Sequence, residues 1–259
     1  MKKIGFIGAG NMATAIVNGL ISQQNGKADF INVFDVSSEK CDIIAKLGVN
    51  ICKTGEDVVK SSDIIVLAVK PQNYPEVLES LKSAVSLQKT FVSIAAGISI
   101  DFVQRGLDCK CPVVRVMPNT PLLLKKGVSA RCPSDNISDE DKQTVYDMFA
   151  GSGVCEYITE EHMNEIISVN GSSPAYIYLF AKAMDDYAKS KGIDYDKAMN
   201  LVCATLEGSA AMLRESGDSA DVLIEKVSSK GGTTIAALDK LREHGFVEAV
   251  QDAMEACTK

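Results

Sequence analysis

Apolar residues recur along this chain in two rhythms. Over roughly the first 150 positions, short apolar runs alternate with stretches of helical spacing. KIGFIG (3–8) and INVFD (31–35) have strand length, and DIIVLAV (63–69), TFVSIAA (90–96) and PVVRVM (112–117) are near-continuous apolar runs. Strands covered by helices on both faces look like this, which predicts a parallel sheet. Between the first two runs, Met12, Ile16 and Leu20 form one stripe with Ala13, Val17 and Ile21 beside it, as on a helix. A polar helix from Ser38 and a short strand near Val49 follow. GVSARC (127–132) and VCEYI (154–158) bracket a helix from about Ser138 and extend the sheet.

From Glu160 onward strand patterns disappear. Tyr176, Leu179, Phe180, Ala183, Met184 and Tyr187 keep helical spacing, another helix runs from about Asp194 to Glu215, and the last two begin at Thr233 and about Gly245. The predicted fold class is α/β: a doubly wound parallel sheet over 1–159, followed by an all-α domain over 160–259. The tail helices are apolar on broad faces, and so small a domain cannot cover them alone, which predicts self-association.

Composition narrows the function. A net charge of −7 argues against nucleic acid or an anionic membrane as partner. The longest apolar run, Ile64 to Val69, is far too short to span a membrane. The basic start MKKIGFIGAG breaks at glycines and reads as a first strand rather than a secretion signal. The eight cysteines form no CxxC pair and there are two histidines, His162 and His244, so no metal centre is expected. Reduced thiols used as small apolar residues fit a soluble protein of the cytoplasm.

The chemistry sits at the ends of strands. GAGNMA (Gly8, Ala9, Gly10, Asn11, Met12, Ala13) joins the first strand to the first helix, where a dinucleotide fingerprint belongs. Gly8 permits the tight turn, Gly10 lets backbone approach a pyrophosphate, and Ala13 keeps helix and strand close. Asp35 ends the second strand, where a carboxylate bonds the ribose hydroxyls of NAD; alternatively it is a cap of the next helix or a turn residue. Ser37, Ser38 and Lys40 follow closely and suit a 2′-phosphate, so NADH and NADPH both stay open. Ala68, Val69, Lys70 and Pro71, then Ala95, Ala96 and Gly97, then Asn119 and Thr120 stand at further strand ends. Lys70 is either a ligand contact or a solvated loop lysine. Asn119 and Thr120, clamped between Pro118 and Pro121, are either a turn or a carboxamide-binding pair suited to nicotinamide.

One motif lies far from these. VSSKGGTTIAAL (227–238) feeds two glycines and two threonines into a helix, and the first turn of such a helix seats an anion.

Taken together, GFIGAGNMA, AVKPQ, SIAAGIS, RVMPNTP, NGSSPAY and GGTTIAAL appear in the order seen in pyrroline-5-carboxylate reductases, and the chain resembles that family over nearly its whole length. The resemblance implies a Rossmann domain and a helical domain that interlocks in a homodimer, with dimers often assembling into decamers. It implies NAD(P)H-dependent reduction of the C=N bond of 1-pyrroline-5-carboxylate to L-proline, the last step of proline biosynthesis. The substrate carboxylate would lie on the backbone around Gly231, Gly232, Thr233 and Thr234. A threonine hydroxyl, Thr233 before Thr234, would bond the ring nitrogen and orient the imine. Gly171, Ser172 and Ser173 match the start of the family's long helix facing the nicotinamide; capping of that helix by Ser172 or Ser173 is the structural alternative. The chain departs from the family at Lys230, usually proline, and at Ala220, Asp221 and Ile224.

Two rival functions are weaker. A β-hydroxyacid-type dehydrogenase needs a general base, typically a lysine after the Gly171 turn, and none occurs before Lys182. A dinucleotide-binding sensor without catalysis would not need the intact GGTT stretch.

Overall fold

The structure is a computed structural model and describes residues 1–229 and 231–258. Lys230, one of the departures noted above, lies outside the described residues. The chain divides into two compact units, Met1–Ser172 and Ser173 onward.

The first unit is built on an eight-stranded sheet: β1 (Ile4–Ile7), β2 (Ile31–Phe34), β3 (Asn50–Ile51), β4 (Ile64–Leu67), β5 (Thr90–Ser93), β6 (Val113–Pro118), β7 (Gly127–Pro133) and β8 (Gly153–Tyr157). Their spatial order is β3-β2-β1-β4-β5-β6-β7-β8. Strands β1 to β6 are parallel, with β1 register-paired to both β2 and β4. The order therefore reverses at β1, the switch point of a doubly wound sheet. Pairing of β7 with β6 is antiparallel, a departure from the wholly parallel sheet that the apolar runs predict. Its cause is the connection. Between β6 and β7 lies only the 3₁₀ segment Thr120–Leu124 and a left-handed Lys125 (φ 56°), too short for the crossover that a parallel partner needs.

Helices α1 (Asn11–Gln23), α2 (Ser38–Ala45), α3 (Gly55–Ser61), α4 (Tyr74–Leu81), α5 (Ile100–Gly106) and α6 (Asp139–Ala150) cover the sheet. The near-continuous apolar strands now have their explanation. Phe6, Ile64 and Val66 join a core with Ile16 and Phe149, whereas Ile7, Ile65 and Leu67 join a separate core with Val58, Leu78 and Phe91. Successive residues of β1 and β4 thus feed opposite layers. Helices α3, α4 and α5 have seven or eight residues, too few to show a period. Their signal is in the caps: the Thr54 and Ser99 side chains accept from the N–H groups of Asp57 and Phe102.

The second unit is helical: α7 (Ser173–Ser190), α8 (Tyr195–Glu215), α9 (Ala220–Lys226), α10 (Thr233–Glu243) and α11 (Phe246–Ala256). Helix α7 packs on α8, and α10 on α11. Little is buried there: Leu179, Leu201 and Tyr187 are exposed, and the buried apolar side chains are small ones such as Ala181, Ala198 and Val202. Among the described residues no helix is long and apolar enough to cross a membrane. The alternative reading, capping of α7 by Ser172 or Ser173, is not what forms, since α7 begins at Ser173 itself. A π-helical turn, Ile167–Gly171, leads into α7, and Ser172 has right-handed helical geometry (φ −90°, ψ −25°) instead of an extended cap.

Strand ends β4 and β5 are joined by a side chain from α4. The fully buried Tyr74 hydroxyl donates to the Leu67 carbonyl (2.9 Å) and lies 3.0 Å from Ser93 Oγ. Burial pushes its phenol well above the ordinary tyrosine range. Replacing Tyr74 with Phe strands both partners without water. The expected cost is about 1–3 kcal/mol, read by urea unfolding of the variant against the parent protein; a loss under about 0.5 kcal/mol would remove this tie from the account.

Candidate functional site

Because β2, β1, β4, β5 and β6 are parallel neighbours, whatever follows them in the chain collects at one edge. That edge brings together Gly8 to Ala13, Asp35, Ala68 to Pro71, Ala95 to Gly97, and Asn119 with Thr120. All the residues expected to form a cofactor cleft stand there.

Gly8 leaves β1 with φ +103°, and a Cβ on it would lie 2.5 Å from the Ala68 carbonyl oxygen. Only glycine permits this turn. Gly10 differs: a Cβ there would meet no atom within 4 Å, so its missing side chain leaves open space. Gly10 is also the N-cap of α1, with no side chain capping the helix and no acidic residue in its first turn. The N–H groups of that turn are therefore available to an anion, and the open face at Gly10 admits one. A dinucleotide pyrophosphate fits this cradle; Ala13, buried in the core, keeps α1 close to the sheet.

Asp35 is a turn residue rather than a helix cap. Ser37 takes that part, accepting from Lys40 N, while Asp35 accepts from Ala9 N through Oδ2 (2.8 Å) and from Ser37 N through Oδ1 (2.8 Å). Lys70 is exposed, Ala95 is buried, and Ala96 and Gly97 are exposed in a turn where Gly97 has φ +75°. The Asn119 side chain is buried and engaged at both ends: Nδ2 donates to the Asn170 carbonyl (3.1 Å) and Oδ1 accepts from Val128 N (2.8 Å). Its amide ties β6 to β7 and to the π-turn, and Thr120 is the exposed member of the pair.

Two supporting groups escape the sequence reading. Asn170 Nδ2 donates to the Met117 carbonyl (2.9 Å), a second bond between the π-turn and β6 beside that of Asn119. Arg115, 2% exposed on β6, donates to Asn164 Oδ1 (2.6 Å) and faces Glu160 Oε1 (3.4 Å), which also accepts from Ile100 N. Nearby, burial and the Glu160 carboxylate push the Cys132 thiol up to about 11. These contacts hold residues 160–164 on the first unit, although the sequence changes character at Glu160. The signal available was an arginine inside an apolar strand, which demands a partner when buried. Gly171 packs near Met117, and Ser172 and Ser173 are each half-buried.

In the second unit the GGTT turn has the form of the Gly-rich start of α1. Gly231 has φ +75°, and a Cβ on Gly232 would lie 2.7 Å from Ser229 Oγ and 2.9 Å from its carbonyl oxygen. Gly232 is the N-cap of α10, again with no capping side chain and no acid in the first turn. Thr233 is exposed and Thr234 half-buried. Ser228 Oγ, beside the turn, is buried without a hydrogen-bond partner among the described residues.

Comparison with known proteins agrees with these features. Residues 160–259 match the family described as pyrroline-5-carboxylate reductase dimerisation, and residues 3–97 match NADP oxidoreductase coenzyme F420-dependent. The pyrroline-5-carboxylate reductase of Escherichia coli (strain K12) is 37% identical over 257 residues, 99% of this chain and 96% of that protein. The chain belongs to the pyrroline-5-carboxylate reductase family. A Pasteurella multocida reductase is 39% identical over 264 residues, covering 100% of this chain and 96% of its own. The crystal structure of Plasmodium falciparum pyrroline carboxylate reductase with NADP bound superposes with a TM-score of 0.89 at 30% identity, covering 99% of this chain and 95% of that one. Family membership makes this chain an NAD(P)H-dependent oxidoreductase with a dimerisation domain that supports homo-oligomerisation.

The two glycines of the cofactor turn should separate fold from binding. Gly10→Ala should melt within a few degrees of the parent yet lose about tenfold or more in NAD(P)H affinity, because its Cβ enters ligand space. Gly8→Ala should lower stability outright, since it adds both positive-φ strain and a clash. Thermal melts and cofactor titrations of both variants check this; an unaltered affinity in Gly10→Ala would remove the pyrophosphate from that cradle.

Proposed function

We propose that this chain reduces the C=N bond of 1-pyrroline-5-carboxylate to L-proline, the last step of proline biosynthesis. The observation that carries the reading is the uncapped, acid-free GGTT start of α10 in a chain 37% identical over its length to a pyrroline-5-carboxylate reductase. Bound NAD(P)H supplies the hydride for the imine carbon.

The chain's own residues have modest tasks. Backbone N–H groups of Gly232, Thr233 and Thr234 hold the substrate carboxylate, with Gly231 providing the turn, and the helix dipole of α10 favours that negative charge. A hydroxyl of Thr233 or Thr234 bonds the ring nitrogen and fixes the imine's orientation. Gly171, Ser172 and Ser173 line the substrate where α7 begins. Asn11, Met12 and Ala13 present α1 to the pyrophosphate, and Lys70, Pro71, Ala96, Gly97 and Thr120 border the rest of the cofactor.

No strong base is required, because a cyclic imine is readily protonated and is then electrophilic. The histidines agree with this. His162 is exposed on a 3₁₀ turn, and His244 is the C-cap of α10, at the far end of that helix from Thr233. A helix of that length separates them by roughly 16 Å. The exposed apolar faces of α7 and α8 serve a homodimer, from which larger assemblies such as a decamer are built. No disulfide joins cysteines among the described residues, which suits a reducing compartment, the cytoplasm.

Purified protein mixed with 1-pyrroline-5-carboxylate should oxidise NADH or NADPH with stoichiometric formation of proline. Thr233→Ala and Thr234→Ala should each retain cofactor affinity, and one or both should lose roughly 10²-fold in kcat/KM. No turnover with either cofactor, in protein shown to bind both cofactor and proline, would overturn the reading in favour of a sensor.

A further inference from the structure

The carboxylate of Asp35 is engaged on two sides before any ligand arrives. Oδ2 accepts from Ala9 N in the Gly-rich turn, and Oδ1 accepts from Ser37 N at the head of α2, both at 2.8 Å. Its negative charge therefore already occupies the positive end of α2. Glu39, in the first turn of that helix, adds another. Lys40 Nζ, which could have met a phosphate, lies 3.8 Å from Asp35 Oδ2 and is countered by it. The Ser37 hydroxyl accepts from Lys40 N as the cap. At the same rim Val36 is 93% exposed, an apolar surface with nothing to offer an anion.

These contacts bear unequally on the two forms of the cofactor. Each Asp35 oxygen makes one hydrogen bond to a backbone N–H and keeps further acceptor capacity, which a ribose diol can fill with its hydroxyl protons. A 2′-phosphate brings only acceptors and close to two negative charges. It would meet two carboxylates, a lysine already paired, and an N–H already bonded.

We propose that this chain selects NADH over NADPH, with Asp35 as the specificity-determining residue. The proposal rests on the reading of the first unit as the cofactor site. Asp35 discriminates by two means: it accepts from the ribose of NADH, and it takes the helix-end position that a 2′-phosphate would need. The same carboxylate positions the Gly-rich turn through Ala9.

Fluorescence titration of the whole protein with NADH and NADPH, without substrate, tests this directly. NADH should bind about tenfold tighter or more, and ADP-ribose should compete better than 2′-phospho-ADP-ribose by a similar factor. Asp35→Ser should shift the ratio towards NADPH by about tenfold or more, with circular dichroism melts reporting whether the turn survives. Glu39→Gln, which touches neither Ala9 nor Ser37 N, should tighten NADPH alone by about twofold. NADPH binding as tight as NADH in the parent protein would overturn the selectivity and leave the reductase reading intact. Binding of neither would overturn both. A folded Asp35→Ser with an unchanged ratio would overturn the role of Asp35; should that variant not fold, an unchanged ratio in Asp35→Asn would do so.

Discussion

The first unit depends on how the backbone N–H groups at the end of β1 are satisfied. Gly8 N donates to the Phe34 carbonyl at 2.7 Å, Ala68 N donates to the Ile7 carbonyl at 2.8 Å, and Ala9 N donates to Asp35. Three elements are thereby locked at the switch point, and these three donors, costly to bury unpaired, all have partners. One step further, at the start of α1, pairing stops: no side chain caps that turn. The contrast between filled and unfilled donors, a few residues apart, turns a sheet edge into a ligand site. A capping Ser or Asp at position 10 would stabilise the helix and occupy the cradle at once.

The same economy of partners recurs in the second unit. Gly232 N donates to the Ser229 carbonyl (2.8 Å), fixing the turn, while the first turn of α10 has neither a side-chain cap nor an acid. Six other helices follow the ordinary rule. Ser37, Thr54, Ser99, Ser138, Asp194 and Ser219 each cap a helix with a side chain. Helices α4 and α11 also lack a side-chain cap but carry Glu76 and Glu248 in their first turns, whereas α1 and α10 have neither cap nor acid; each forgoes about 1 kcal/mol of stabilisation, which binding of an anion can restore.

How much of this was legible depends on the range of the interaction. The two-layer sheet could be read because β1, β4 and β5 bury both faces, and burial leaves an apolar run whatever the neighbours are. The placement of GAGNMA, AVKPQ and SIAAGIS at one edge follows from strand direction alone. Antiparallel β7 could not be read so easily, because its direction is decided by the short 119–126 connection and not by its own residues. Nor could the Arg115–Glu160 and Asn119–Asn170 ties, which join residues 45 and 51 positions apart. A local pattern shows that Arg115 needs a partner without saying which. The Asn119 amide illustrates the point at the site itself: its position suggested a ligand contact, and its hydrogen bonds go to Val128 and Asn170.

Burial in the second unit makes association part of its stability rather than an addition to it. Long apolar side chains such as Leu179, Leu201, Met212 and Leu213 are more exposed than covered, while Ala181, Ala198 and Val202 are among the few that are buried. A helix hairpin with so little covered apolar surface cannot offset the entropy of ordering its residues. A second copy covering those faces would contribute roughly 1.5–3 kcal/mol for each large side chain withdrawn from water. The GGTT turn lies in that same unit, so its order is linked by mass action to the association that stabilises the unit's helices.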